Sequence, residues 1–124
     1  MPSKLPGLTE KQIQDQIIQY LRMKHFYVQR LNAGQFEMGE GKSRRFIKGV
    51  ATGTPDLMAF KTRSIEVHFE RVYFIDLVFV EVKRPGLGKK SEPTPLQEMK
   101  MEELTGYGAR CIVAHSIEEM EVQL

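Results

Sequence analysis

The first hydrophobic pattern along the chain belongs to a helix. In "LTEKQIQDQIIQYLRMKH", residues 8–25, apolar side chains recur at Ile13, Ile17, Tyr20 and Leu21, the spacing of one helical face. Thr9 is placed to cap it, and Gln12 three residues on completes a capping box. Leu8 and Ile13 stand where a hydrophobic staple forms. "FYVQRLN" then reads as a strand. The glycine-rich, basic stretch 33–55 reads as a loop with room for a short hairpin around "RRFIKG". "DLMAF" predicts a short apolar strand, and "KTRSIEVHFERVYFID" alternates loosely, as a strand or a hairpin ornament would. "LVFVEVK" is the clearest strand, rich in β-branched residues. A turn, "RPGLGKKSEP", leads to a second helix in "TPLQEMKMEELTG", with Thr94 as cap, Pro95 at its first position and Gly106 at its end. "ARCIVAH" predicts a closing strand and "SIEEMEVQL" a short helix. The expected architecture is α/β: helix, three or more strands, helix, strand, in one domain over residues 1–124, since no repeat or interior linker interrupts the pattern.

Composition narrows the setting. With 41% hydrophobic and 27% charged residues, a 124-residue chain can build a modest core. No apolar run approaches a bilayer's thickness, and "MPSKLPGLTEKQ" lacks the apolar centre of a signal peptide. Cys111 is the single cysteine, which excludes an internal disulfide and a multi-cysteine zinc site and predicts a buried thiol in a reducing, cytoplasmic interior. The net charge of +2 says little, but its distribution says more. Between residues 22 and 48 stand Arg22, Lys24, Arg30, Lys42, Arg44, Arg45 and Lys48 against Glu37 and Glu40, and Lys83, Arg84, Lys89 and Lys90 form a second basic group. Glu98, Glu102, Glu103, Glu118, Glu119 and Glu121 gather towards the end. One basic and one acidic side suit a polyanion such as nucleic acid; an ordinary solvated surface is the plain alternative.

Several motifs fail on inspection. "GEGKS" ends like a phosphate-binding loop, but Phe36 stands where that loop needs glycine, and no helical pattern follows. His25, His68 and His115 have no metal-ligand spacing, and no serine or cysteine sits in a nucleophile elbow. What remains is acids in apolar places. In "VFVEVKRPG", Val78, Val80 and Val82 share one face of the strand while Glu81 and Lys83 share the other. "GTPDLMAF" puts Asp56 at the head of another apolar strand. If the two strands are neighbours, Asp56 and Glu81 converge, and two half-buried carboxylates repel. A divalent cation relieves that repulsion, and few hard oxygen ligands with room for water and phosphate describe a magnesium site. Lys83 can then hold a phosphate oxygen or orient the attacking water; the plain alternative is a surface ion pair between Glu81 and Lys83. Glu10 lies within about 20° of Ile17 and Leu21 on a helical wheel, an acid on the core-facing stripe or simply a partner of the helix dipole. Gln97 aligns with Met101 and Leu104, and it also stands where it can complete the Thr94 capping box.

These residues in this order resemble the PD-(D/E)xK nuclease superfamily, with Pro55-Asp56 as its first motif and Glu81-Val82-Lys83 as its second. "TEKQIQDQIIQYL", "RLNAG", "GTPDLMAF", "VFVEVKRPG" and "TPLQ" together look like the blocks of the VRR-NUC family, the virus-type replication-repair nucleases. The resemblance implies a restriction-endonuclease-like core with a mixed sheet flanked by helices. It implies that Asp56, Glu81 and the Val82 carbonyl ligate magnesium, or manganese as a substitute, that Lys83 is the catalytic lysine, and that Glu10 and Gln97 complete the centre. Lys42, Arg44, Arg45, Lys48, Lys89 and Lys90 are the expected DNA contacts. The implied activity is a metal-dependent endodeoxyribonuclease acting as a homodimer on branched DNA such as four-way junctions. A nicking or flap enzyme is the nearest alternative, and a non-catalytic nucleic-acid binder the more distant one. The segment "KTRSIEVHFERVYFID" departs from the short strand connection expected of that core, and within it "SIEVHFERVYFID" is the candidate dimer surface.

Overall fold

The computed structural model describes residues 7–31, 35–38, 45–48 and 52–124. Helix α1 spans Glu10–Met23, and its capping box is closed: the Thr9 N–H donates to Gln12 Oε1 at 2.8 Å and the Gln12 N–H to Thr9 Oγ1 at 3.1 Å. Ile13, Ile17, Ile18 and Leu21 are its buried face, the stripe expected from helical periodicity. A four-stranded mixed sheet follows, in the order β1 (Tyr27–Arg30), β4 (Leu57–Val67), β5 (Glu70–Val82), β6 (Arg110–Ala114). The first two pairings are antiparallel and the last is parallel. A separate hairpin joins β2 (Gln35–Met38) to β3 (Arg45–Lys48), within the stretch where the sequence predicts one. Helix α2 (Pro95–Gly106) crosses between β5 and β6, and α3 (Ile117–Gln123) closes the chain. The result is the α/β order expected from the sequence, consistent with a restriction-endonuclease-like core.

The two faces of the sheet are unequal. Leu57, Ala59, Val78, Val80, Val82, Ile112 and Ala114 join the buried residues of α1, Phe26 and Met120 of α3 in one core. On the opposite face lies α2, which buries no residue fully and exposes Leu96 and Met99. Cys111, expected to be buried, is half-buried on that side, its Sγ 3.5 Å from the Met101 carbonyl. The cause is the thin cover that α2 gives the edge of the sheet.

β4 and β5 are longer than their sequence patterns suggest. β1 pairs with β4 at residues 57–60 and β6 pairs with β5 at residues 78–82. Beyond them, Lys61–Val67 and Glu70–Asp76 pair with each other as a protruding two-stranded arm. The ornament predicted at 61–76 is therefore a continuation of both strands. The arm exposes Ile65, Val67, Phe69, Val72, Tyr73, Phe74 and Ile75. His68 and Phe69 make its turn at φ of 49° and 67°, left-handed conformations uncommon for side chains of that bulk. Buried Asp76 anchors the base of the arm, accepting from Arg63 Nε at 2.5 Å and from Arg110 Nε at 3.1 Å. Burial alone raises the Asp76 carboxyl, but these arginines outweigh it and hold the group below its ordinary range.

Candidate active site

The site is built where β4 begins and β5 ends. The antiparallel register pairs Leu57 with Val80, so the preceding residue, Asp56, stands opposite Glu81. Asp56 is held from both sides: its Oδ2 accepts the Val82 N–H at 2.7 Å and its main-chain oxygen accepts the Leu31 N–H at 2.8 Å. Pro55 before it is fully buried. Gly53 enters this turn at φ +91°, and a Cβ there would lie 2.8 Å from the Leu96 carbonyl oxygen at the start of α2. This close approach brings the "GTPD" turn against the helix that carries Gln97. Gly53→Ala is therefore expected to lower stability by about 1–3 kcal/mol, from a strained φ plus displaced backbone. Chemical denaturation measures it, and a variant as stable as wild type would show that the turn gives way freely.

Glu81 is only 2% exposed. Its Oε1 accepts from Gln97 Nε2 at 3.0 Å and lies 4.0 Å from Lys83 Nζ. Its Oε2 is buried and meets no hydrogen-bond donor among the described residues. The Glu81 and Lys83 side chains are 3% and 12% exposed, which removes the alternative of a surface ion pair. Burial, and after it the charge of Asp56, pushes the Glu81 carboxyl up to about 8. Lys83 opposes this, whereas a proton shared with Asp56 and the charge of Glu10 add to it.

Gln97 performs both tasks the sequence left open. Its Oε1 accepts the Thr94 N–H at 2.8 Å, closing the capping box of α2, while its Nε2 reaches Glu81. One amide thus fixes the helix start and one carboxylate oxygen. Glu10, at the first turn of α1, is exposed rather than core-facing, because the stripe it shares with Ile17 turns outward at the helix end. Burial and then Asp56 nonetheless raise its carboxyl, and Lys83 lowers it, so it lies within the field of the same cluster. Lys83 is fixed by its main chain as well, its N–H donating to the Ala114 carbonyl at 3.0 Å.

The chain's sequence matches the family model described as the VRR-NUC domain over residues 8–118. The chain belongs to the VRR-NUC family. It thus carries a nuclease domain of the PD-(D/E)xK type, and such a domain implies DNA as its substrate. Comparison with curated proteins and with solved structures gives no match. In this VRR-NUC domain the match spans Pro55-Asp56, Glu81-Val82-Lys83 and both helices that flank them, α1 and α2.

Among the described residues no three His, Cys, Asp or Glu side chains stand close enough to form a metal cluster. The donors present are a pair, Asp56 and Glu81, with the Val82 main chain between Glu81 and Lys83. The pair fits a hard cation that takes one or two carboxylates and completes its shell with water and substrate phosphate. The buried Glu81 Oε2 without a donor is the observation on which that fit rests. Of the six expected DNA contacts, Lys89 and Lys90 are exposed on a 3-10 turn, Gly88–Ser91, just beyond Lys83. Arg45 and Lys48 are the first and last residues of β3, while Lys42 and Arg44 lie outside the described residues. The sequence reading missed His115, which joins that turn to α3. The signal for it was local: His115 stands four residues before Glu119, the spacing of a side-chain pair entering a helix. No described helix is long and apolar enough to cross a membrane.

Proposed function

We propose that this protein is a magnesium-dependent DNA endonuclease, with manganese as a substitute, acting as a homodimer on branched DNA such as four-way junctions, in the cytoplasm. The observation that carries the reading is the buried Glu81 carboxylate opposite Asp56, with one oxygen lacking a donor and Lys83 beside it. Asp56, Glu81 and the Val82 carbonyl would hold the ion, and Glu10 would bear on it through water. When bound, the ion supplies a Lewis acid and lowers the pKa of the attacking water. Lys83 places its ammonium where a phosphate oxygen gains charge. Gln97 keeps the Glu81 carboxylate turned towards Asp56, and Lys89 and Lys90, with the basic stretch 42–48, contact backbone phosphates.

Chemistry and surface together support the homodimer. One centre cuts one strand, and symmetric opening of a four-way junction needs two. The arm supplies apolar surface for the contact, and the charges it carries from Lys61 to Asp76 balance between three basic and three acidic residues. A neutral apolar arm suits a protein partner better than a phosphate backbone.

Labelled duplex, nicked and four-way DNA, incubated with magnesium or with chelator, tests the reading. Paired cuts on the junction that vanish in chelator are expected, with a dimer in sedimentation at micromolar concentration. Cutting that persists in chelator would overturn the metal assignment. A monomer both free and on DNA would leave a single-strand nicking enzyme.

A further inference from the structure

His115 directly follows β6 and faces two acceptors. Its Nε2 lies 2.6 Å from the Ser91 carbonyl oxygen, and its Nδ1 lies 3.0 Å from Glu119 Oε1. Neither of those oxygens can donate. A neutral imidazole has a single N–H, so both contacts are hydrogen bonds only when the ring is the doubly protonated imidazolium. Glu119 is itself fixed by the start of α3, where its N–H donates to Ser116 Oγ at 3.1 Å.

The other end of this tie is the basic turn. Ser91 Oγ donates to the Arg84 carbonyl at 2.6 Å and accepts the Leu87 N–H at 2.8 Å. The Lys90 N–H donates to the Leu87 carbonyl and the Glu92 N–H to the Lys89 carbonyl. Residues 84–92 are thus braced among themselves, around Gly86 and Gly88 at φ of 79° and 61°. The His115 bond reaches this braced unit from the body of the fold. One residue earlier, the Ala114 carbonyl accepts the Lys83 N–H. The last residue of β6 therefore holds the main chain of Lys83, and the residue after it holds the turn bearing Lys89 and Lys90.

We propose that the His115 imidazolium is a positioning residue: it holds the turn bearing Lys89 and Lys90 at a fixed place beside Lys83, and so makes phosphate binding by that turn dependent on one proton. The assignment rests on the DNA-cleaving reading above for its consequence, though not for the tie itself. Among the described residues, Glu119 of α3 is the charged group bonded to the ring; the turn, which also carries Lys89 and Lys90, meets it with the neutral Ser91 carbonyl, and the flanking Ala114 and Ser116 are uncharged. The Glu119 hydrogen bond, against burial and with help from the Ser91 carbonyl, holds the histidine above its ordinary range. The tie is therefore complete below the ordinary histidine value and is lost as pH rises through the raised one.

Measurements on the free protein and on its DNA complex decide it. In the free protein, a pH titration followed by ring-nitrogen NMR is expected to show His115 losing its second proton at a higher pH than an ordinary histidine, and His115→Ala is expected to speed amide exchange at Leu87, Lys90 and Glu92. A His115 ring that titrates at or below the ordinary histidine value, or unchanged exchange at these amides, would overturn the tie whatever the protein does to DNA. With labelled four-way DNA at constant ionic strength and calcium in place of magnesium, wild-type affinity is expected to fall about five-fold as His115 loses its proton, the low end of ordinary coupling between sites. His115→Ala should bind at the weak level throughout, and Lys89→Ala/Lys90→Ala should remove the same pH dependence. By reciprocity, bound DNA should raise the pH at which His115 deprotonates. A wild-type slope retained in His115→Ala would overturn the positioning role. Should wild type bind no DNA at all, the DNA-cleaving reading fails and takes the phosphate role with it, while the exchange and NMR results still decide the tie.

Discussion

Asp56→Asn is expected to reduce cleavage by roughly a thousand-fold or more, the scale on which loss of an ion's charge stabilisation acts. The substitution keeps the shape of the side chain and leaves an oxygen to accept the Val82 N–H, now 2.7 Å from Asp56 Oδ2. What it removes is one of the two charges that would hold the cation. Glu81→Gln should act alike, since Gln97 can still donate to the remaining amide oxygen where it now reaches Glu81 Oε1. Lys83→Met separates binding from chemistry. The ammonium lies 4.0 Å from Glu81 Oε1 and opposes its protonation, yet a cation cannot itself ligate a metal. Turnover should drop about a hundred-fold or more, as for the loss of one charge-stabilising donor, while calorimetric metal affinity stays near wild type. If Lys83→Met abolishes metal binding, the lysine organises the carboxylates instead of serving the reaction. If Asp56→Asn cuts at the wild-type rate, the pair is not the catalytic centre.

Much of this site was legible because local rules and global fold agree. Both capping boxes are written in short spacings, Thr9 to Gln12 and Thr94 to Gln97, and each is closed in the structure. The apolar face of Val78, Val80 and Val82 identifies β5, and the convergence of Asp56 on Glu81 follows once β4 is its neighbour. Other features depend on distant parts of the chain. The loose alternation from Lys61 to Asp76 gives no sign that both strands run on, because an exposed arm has no buried face to enforce a period. The burial of Glu81 also escapes a strand pattern. A mixed face reads as solvated, whereas here the "GTPD" turn and the start of α2 close over it. Glu10 shows the reverse: its wheel position is that of a core residue, but the helix begins at that residue and leaves it exposed.

Glu81→Gln should also stabilise the metal-free protein, with a size set by pH. In the folded chain the Glu81 carboxyl is pushed up to about 8, from an ordinary value of 4.5. Between those values the folded state keeps a proton that the unfolded chain releases, so raising the pH favours unfolding. The penalty is absent below the ordinary value and complete above about 8. Glutamine does not titrate and carries no charge beside Asp56, so it removes the penalty. A tenfold difference in proton affinity between folded and unfolded chain is worth about 1.4 kcal/mol; allowing for water near the site, the gain at pH 8 and above is on the order of 2–3 kcal/mol. For a domain of this size that raises Tm by about 5–10 °C. The rise in Glu10 has the same sign and adds to the pH dependence shared by both proteins. Thermal melts in chelator should therefore show wild type and variant together near pH 4.5 and apart at pH 8. Added magnesium should close the gap from the wild-type side, since a ligand stabilises the state that binds it. A variant that melts below wild type at pH 8, or a gap that does not widen with pH, would mean that Glu81 holds the fold together through Gln97 more than it strains it against Asp56.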